Sequence, residues 1–362
     1  MAVLNEEQIM LKDAAKSWVQ DKSPVTAFRK MRDSGVDIGY DAAAWNEMAE
    51  MGWAGVIIPE EYGGSNFGYL SMGLILEELG RTLTASPLLV SGMATASALV
   101  LGGSDAQKSE WLPKIAEGTA VGALAIDEGP HHAPDKVATT FSGGKLTGKK
   151  TFVLEGFKAD QLIVSAKGPD GIGLYLVRGD DAGVSRSRLA LADSRGAANI
   201  EFKGAAAEPL SGGAATLEKT LDRARAGLAA EMLGAAVQAF ETTLDYLKVR
   251  VQFGQVIGSF QALQHRAAKM FTDLELARSA VEAALTAIDN DSPDVPELVS
   301  LAKAKMGDTF HLVSNEMVQM HGGIGMTDAH DAGFYLKRAR AAEAAFGSQS
   351  FHRDRYARIQ GY

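Results

Sequence analysis

The chain has 362 residues, 46% apolar and 22% charged, enough for two or three domains around a large buried core. With 36 basic against 45 acidic residues the net charge is −9, so there is no bulk attraction for nucleic acid or an anionic membrane. There is no cysteine, which excludes disulfides, thiolate catalysis and cysteine metal sites.

The opening MAVLNEEQIMLKDAAKSWV reads as an amphipathic helix, charged from Glu6 and Glu7 onward and without the features of a signal peptide. Asn5 is a plausible N-cap with Gln8 three residues on. A second helix spans 40–51 and stops near Gly52. The loop IIPEEYGG follows, then a helix over 70–83. The longest uncharged stretch, 86–104, is short and rich in small residues. It reads as a buried helix rather than a membrane span, and a soluble, cytoplasmic protein is expected. A further helix covers 104–117 and ends at Gly118, as glycine C-caps do.

The pattern changes near Thr119. Short apolar runs split by Gly and Asp (VGALAI, KLTGKKTFVL, DQLIVSA, GIGLYLV, AANIEF) indicate a small antiparallel β domain to about Leu210. Helical spacing then resumes over 217–250, 260–288, 297–321 and 331–346, with a turn at QFGQVIGS, and reads as a four-helix bundle. The chain is mainly α, with an N-terminal helical domain (1–118), a middle antiparallel β domain (119–210) and a C-terminal four-helix bundle (211–362).

Four motifs stand in this order: MGWAGVIIPEEYGG (51–64), LEELGR (76–81), RVQFGQVIGSFQALQHRAAKM (250–270) and QMHGGIGMTDAHDAGFYLKRAR (319–340). Alone, an RxxFG is usually a helix end with a surface arginine, and a GGxG is usually a loop. Together, across most of the chain, they resemble the acyl-CoA dehydrogenase family of flavoproteins, and the order of helices, β domain and bundle is that of its fold. The resemblance implies FAD as cofactor, an acyl-CoA thioester as substrate, an oligomer, and an electron-transfer flavoprotein as the next carrier. The residue types agree with a dinucleotide. A diphosphate suits the parallel hydrogen bonds of an arginine fork, here Arg250 at a helix end. Phe253 offers an apolar face, Gln261 and Gln319 offer amides, and Gly322, Gly323 and Gly325 admit close backbone approach. In the family these residues serve FAD held mainly by the partner subunit.

Three elements depart from the family. Its TEPGAGSD-like stretch is IDEGPHHAPDK (126–136) here, keeping Glu128 and Gly129 but not the glycine-serine core. Its Trp-Ile-Thr triplet is Phe152, Val153 and Leu154; the phenylalanine can stack on a flavin, but leucine has no hydroxyl to donate. The family's base, a carboxylate that takes the proton α to the thioester carbonyl, falls on Ala224 or Phe346, and neither can accept a proton. Arg225 matches an arginine that accompanies the base. Glu231, seven residues after Ala224 and on nearly the same helix face, is the candidate base; the alternative is a glutamate paired with an arginine or holding a subunit interface. Glu343 is a second, weaker candidate. His131 and His132 are adjacent, so their side chains diverge, and no further ligands accompany them; a surface loop without metal is expected.

Three functions fit. The favoured one is a subunit of a heteromeric dehydrogenase, such as those acting on steroid side-chain CoA esters, whose second, different subunit holds the ring and the base. The alternatives are a homo-oligomeric acyl-CoA dehydrogenase using Glu231, or a flavin oxidase or monooxygenase on the same fold.

Overall fold

The computed structural model describes residues 4–362; residues 1–3, the start of the stretch read for a leader, lie outside it. The first helix, α1 (Glu6–Lys22), opens with the expected capping box. The Asn5 side chain accepts from the Gln8 amide at 2.8 Å, and the Gln8 side chain accepts from the Asn5 amide at 3.1 Å. After α2 (Val25–Ser34), absent from the sequence reading, come α3 (Ala42–Glu50) and α4 (Tyr69–Arg81). The uncharged stretch is buried as expected, but it is not one regular helix. Leu88–Thr95 is wound as a wider, π-type turn before α5 (Ala96–Gly102). Ser104 and Gln107 form a second capping box at the start of α6 (Asp105–Ala116), and Gly118 takes φ 70° beyond its end.

The chain forms two compact units that do not follow chain order. Among the described residues, one holds 4–28, 73–84 and 228–362, and the other 29–72 and 85–227. In the second unit lie β1 (Gly122–Ala125), β2 (Thr140–Ser142), β3 (Lys145–Leu154), β4 (Gln161–Gly168), β5 (Gly171–Arg178), β6 (Val184–Ala190) and β7 (Gly196–Pro209). The pairings β2–β3, β3–β7, β7–β5, β5–β4 and β4–β2 close on themselves, so few edges remain open. Leu146, Val153, Leu162, Val164, Ile200 and Phe202 fill the interior. The domain is not wholly antiparallel as expected: β1 and β2 both run parallel to β4. The β2–β3 hairpin lies within the long crossover between β1 and β4, and a parallel pair requires such a connection.

The first unit contains α8 (Gln261–Asp289), α9 (Val295–His321), α10 (Ala332–Ala344) and α11 (Gln349–Ile359), together with the C-terminal part of α7 (Gly213–Val249). The bundle helices α7 to α10 stand where periodicity placed them. The polar, arginine-rich α11 is an addition that lacks a clear apolar stripe and buries only His352. Between α7 and α8 lie β8 (Val251–Gln252) and β9 (Gln255–Val256), a two-residue hairpin.

Helices α4 and α7 pass backbone to backbone at two glycines. A Cβ on Gly234 would sit 1.7 Å from the Glu77 carbonyl oxygen, and one on Gly80 would sit 2.0 Å from that of Glu231. A clash with backbone should cost about 3 kcal/mol, against about 1 kcal/mol gained from alanine's helix propensity. Gly234→Ala is therefore expected to destabilise the chain by about 2 kcal/mol and lower the thermal midpoint by several degrees. An unchanged midpoint in calorimetry would contradict this packing.

Candidate functional site

The hairpin after α7 turns on Phe253 and Gly254, with φ of 56° and 78°. Two consecutive positive φ values make a type I′ turn, the geometry a two-residue hairpin needs. Asparagine or glycine is the usual occupant; here a phenylalanine accepts the strain and holds its ring 88% exposed. Arg250 follows the last turn of α7, its amide bonded to the Tyr246 carbonyl at 2.9 Å and its carbonyl to the Ile257 amide at 2.8 Å. The backbone beneath this exposed guanidinium is thus fixed at both ends, at a helix C-terminus where a cation is favoured. Gln261, also exposed, begins α8.

At the end of α9, Gln319 is exposed and its carbonyl closes the helix on the Gly322 amide. Gly322 takes φ 63°, and neither it nor Gly323 has any atom within 4 Å of where a Cβ would stand. The Tyr246 hydroxyl donates to the His321 carbonyl at 3.5 Å, joining the two regions. These two sets therefore belong to one unit and are structurally linked, whereas Phe152, also assigned to the cofactor, belongs to the other unit.

Glu231 is 4% exposed and pairs with Arg338, receiving Nε at 3.0 Å and the terminal nitrogen at 2.9 Å. Glu343 lies with His311 and Arg340. Phe346, at the late base position, is 8% exposed with φ 55°.

Arg225 has other partners, in the other unit. It is fully buried, and it donates to Asp222 at 3.0 Å, to Glu218 at 3.4 Å and to His132 Nε2 at 3.1 Å. His132 Nδ1 lies 3.0 Å from both oxygens of Asp127. The surface-loop expectation thus holds only for His131, which is exposed; the His132 side chain is 2% exposed. The correction has a physical cause. The loop turns Asp127 inward, and a carboxylate there needs donors, which His132 and the Ala133 amide supply. The link from Asp127 through His132 to Arg225 was invisible in the sequence, because Arg225 lies far along the chain.

The retained acid Glu128 is occupied as well. It accepts from the Ala138 and Thr139 amides at 2.7 and 3.0 Å and from Lys150 Nζ at 2.8 Å. Burial raises its carboxyl, but these donors outweigh burial and hold it below the usual range. Lys150 also donates to the Ile126 carbonyl at 2.8 Å, and burial lowers its ammonium. A register shift between Lys150 and Val153 turns Phe152 outward, at φ 53° and 50% exposed. The Asn199 carboxamide oxygen braces this bulge, accepting from the Thr151 hydroxyl at 2.6 Å and the Phe152 amide at 3.3 Å.

A stability profile follows from these groups. Burial holds His132 and His321 below the ordinary histidine value of 6.5. The unfolded chain then takes up protons that the folded chain does not, so stability is lost as pH falls through 6.5 towards the depressed values. The lowered carboxyls of Glu128 and Glu77 add a loss of the same sign below their ordinary value of 4.5. Thermal midpoints are expected to fall between pH 7 and 5, and His132→Gln, which does not titrate, should flatten that slope. An unaltered slope would show that His132 is not a source of it.

The acyl-CoA dehydrogenase N-terminal domain model matches residues 5–119, and the acyl-CoA dehydrogenase C-terminal domain model matches 211–360. The chain belongs to the acyl-CoA dehydrogenase family. Acyl-CoA dehydrogenase IpdE2 of Mycobacterium tuberculosis is 32% identical over 339 residues, 93% of this chain and 92% of that one. Among solved structures, a Tcur3481–Tcur3483 steroid acyl-CoA dehydrogenase variant is 30% identical at TM-score 0.92, covering 98% of each chain. The ChsE4–ChsE5 complex from Mycobacterium tuberculosis is 26% identical at TM-score 0.93, covering 100% of each. Acyl-CoA dehydrogenases are FAD-dependent oxidoreductases acting on the CH–CH group of acyl-CoA, and FAD is this one's cofactor. The open glycines, the exposed Phe253 ring and the fixed Arg250 fit a flavin dinucleotide. No helix among the described residues of this acyl-CoA dehydrogenase is long and apolar enough to cross a membrane.

Proposed function

We propose that this chain is the cofactor-donating subunit of a heteromeric, cytoplasmic acyl-CoA dehydrogenase whose second, different subunit holds the flavin ring and the base. The substrate class is an acyl-CoA thioester, specifically a steroid side-chain CoA ester, oxidised to the trans-2-enoyl product. The observation that carries the proposal is a contrast between two regions. Arg250, Phe253, Gln261, Gln319, Gly322 and Gly323 are all exposed, and the space a Cβ would take at Gly322 and Gly323 is open. In the stretch 127–150, by contrast, Asp127, Glu128, His132 and Lys150 bond to one another, to Arg225 or to nearby backbone. Likeness to a solved steroid acyl-CoA dehydrogenase and to the ChsE4–ChsE5 complex supports the same reading.

FAD, when bound, supplies the hydride acceptor for the β carbon. This chain's contribution is to hold the dinucleotide. Arg250 would meet the diphosphate with charge-assisted hydrogen bonds, the Phe253 ring would cover an apolar face, and Gln261 and Gln319 would offer amides to ribose or adenine. The Gly322–Gly323 turn would let the backbone approach closely. The α proton goes to the second subunit, because Ala224 and Phe346 stand at both base positions and Glu231 is paired with Arg338. An electron-transfer flavoprotein would be the next electron carrier.

The visible spectrum of the chain purified alone tests this reading. The expected protein is colourless and turns yellow only when co-expressed with its second subunit. Stoichiometric, tightly bound FAD in the chain alone would replace it with the homo-oligomeric alternative.

A further inference from the structure

Between His321 and His330 the chain makes the Gly322–Met326 turn, with Met326 83% exposed at its far end. Three rings stack at the neck of this turn. His321 lies against Tyr246 with centroids 4.3 Å apart and planes at 30°, and against His330 at 4.3 Å and 43°. The hydrogen bonds assign both tautomers. His321 Nδ1 is 2.7 Å from the Met317 carbonyl, which only accepts, so Nδ1 carries the proton. His330 Nδ1 accepts the Ala332 amide at 3.1 Å, at the start of α10 where Asp331 supplies no side-chain cap, so its proton is on Nε2.

Tyr246 is also the residue whose carbonyl receives the Arg250 amide. The stack therefore joins the helix end that carries Arg250 to the glycine turn that carries Gly322 and Gly323. We infer that Tyr246, His321 and His330 are positioning residues for FAD, fixing the glycine turn relative to Arg250 before the cofactor arrives. This inference rests on the cofactor-donating role proposed above. A glycine-rich turn loses more conformational freedom on ordering than any other segment. A turn not already held in place must be ordered on binding, at the expense of affinity.

The test is FAD titration of the flavin-stripped, assembled complex, followed by flavin fluorescence, with the thermal midpoint of the same apo complex measured alongside. His330→Ala is expected to raise the FAD dissociation constant on the order of tenfold with little change in the apo midpoint. His330→Phe, which keeps a stacking ring but not the acceptor, should recover most of that affinity. His330→Asn, which keeps an acceptor near the Nδ1 position but not the ring, should not. Tyr246→Leu, at the other face of the stack, should match His330→Ala, and it serves if that variant fails to assemble. Unchanged affinity in both ring-removing variants overturns the inference, as does rescue by asparagine rather than phenylalanine, or a loss of affinity that only tracks the midpoint. Arg250→Ala in the same titration separates the two levels. If it weakens FAD while the stack variants do not, only this inference fails; if it leaves FAD affinity unchanged, the donor role fails too.

Discussion

Arg250→Ala is expected to weaken FAD binding by the assembled enzyme by roughly 30- to 1,000-fold, the equivalent of about 2–4 kcal/mol for removing one member of a desolvated charge pair. The size of the effect comes from preorganisation. Arg250 stands on backbone fixed by Tyr246 and Ile257, beside a hairpin whose strained Phe253 keeps its ring outward. Arg250→Lys should recover only part of the loss, since an ammonium is a point charge and cannot make two parallel bonds to a diphosphate. Apo-complex thermal midpoints should be nearly unchanged, because the side chain is exposed. Full FAD affinity in Arg250→Ala would remove the basis for the donor role.

The second large effect concerns Glu231. Glu231→Ala leaves the Arg338 guanidinium, 7% exposed, without its carboxylate, and should cost about 3–5 kcal/mol. The thermal midpoint should then fall on the order of 10 °C. Replacing both residues with methionine should be far milder, because an apolar pair carries no desolvation penalty. Glu231→Gln separates structure from chemistry. In a subunit whose partner supplies the base, turnover well below the midpoint stays within a few-fold of wild type. A fall of a thousandfold or more, with assembly and FAD content intact, would make Glu231 the base and the homo-oligomeric alternative correct.

Local devices were legible in the sequence. The Asn5–Gln8 capping box, the Gly118 helix end and the Phe253–Gly254 turn depend on residues within a few positions of each other. Long apolar periodicity gave α7 to α10 for the same reason. Two helices escaped this reading: α2 buries only Phe28, and α11 buries only His352 and is otherwise polar. Phe28 is held by an edge contact with Phe334, whose ring centre is 5.2 Å away but which lies at the opposite end of the chain.

The candidate site divides along the same line. Arg250, Phe253, Gln319 and the glycines could be named from motif and residue type, because each offers chemistry that its own side chain or backbone carries. The state of the titratable groups could not. Whether His132 is exposed or buried, whether Glu231 is free or paired, and whether two histidines nine residues apart stack are matters of which distant groups share their surroundings. By itself the sequence determined the order of elements, the helix ends and the residue types available to a dinucleotide, since periodicity and capping act over one or two turns. Only the tertiary structure decided the Asp127–His132–Arg225 chain, the Glu231–Arg338 pair, the closed strand pairing and the three-ring stack. Burial makes an unpaired charge costly, and the partner that relieves that cost is selected by proximity in space rather than along the chain.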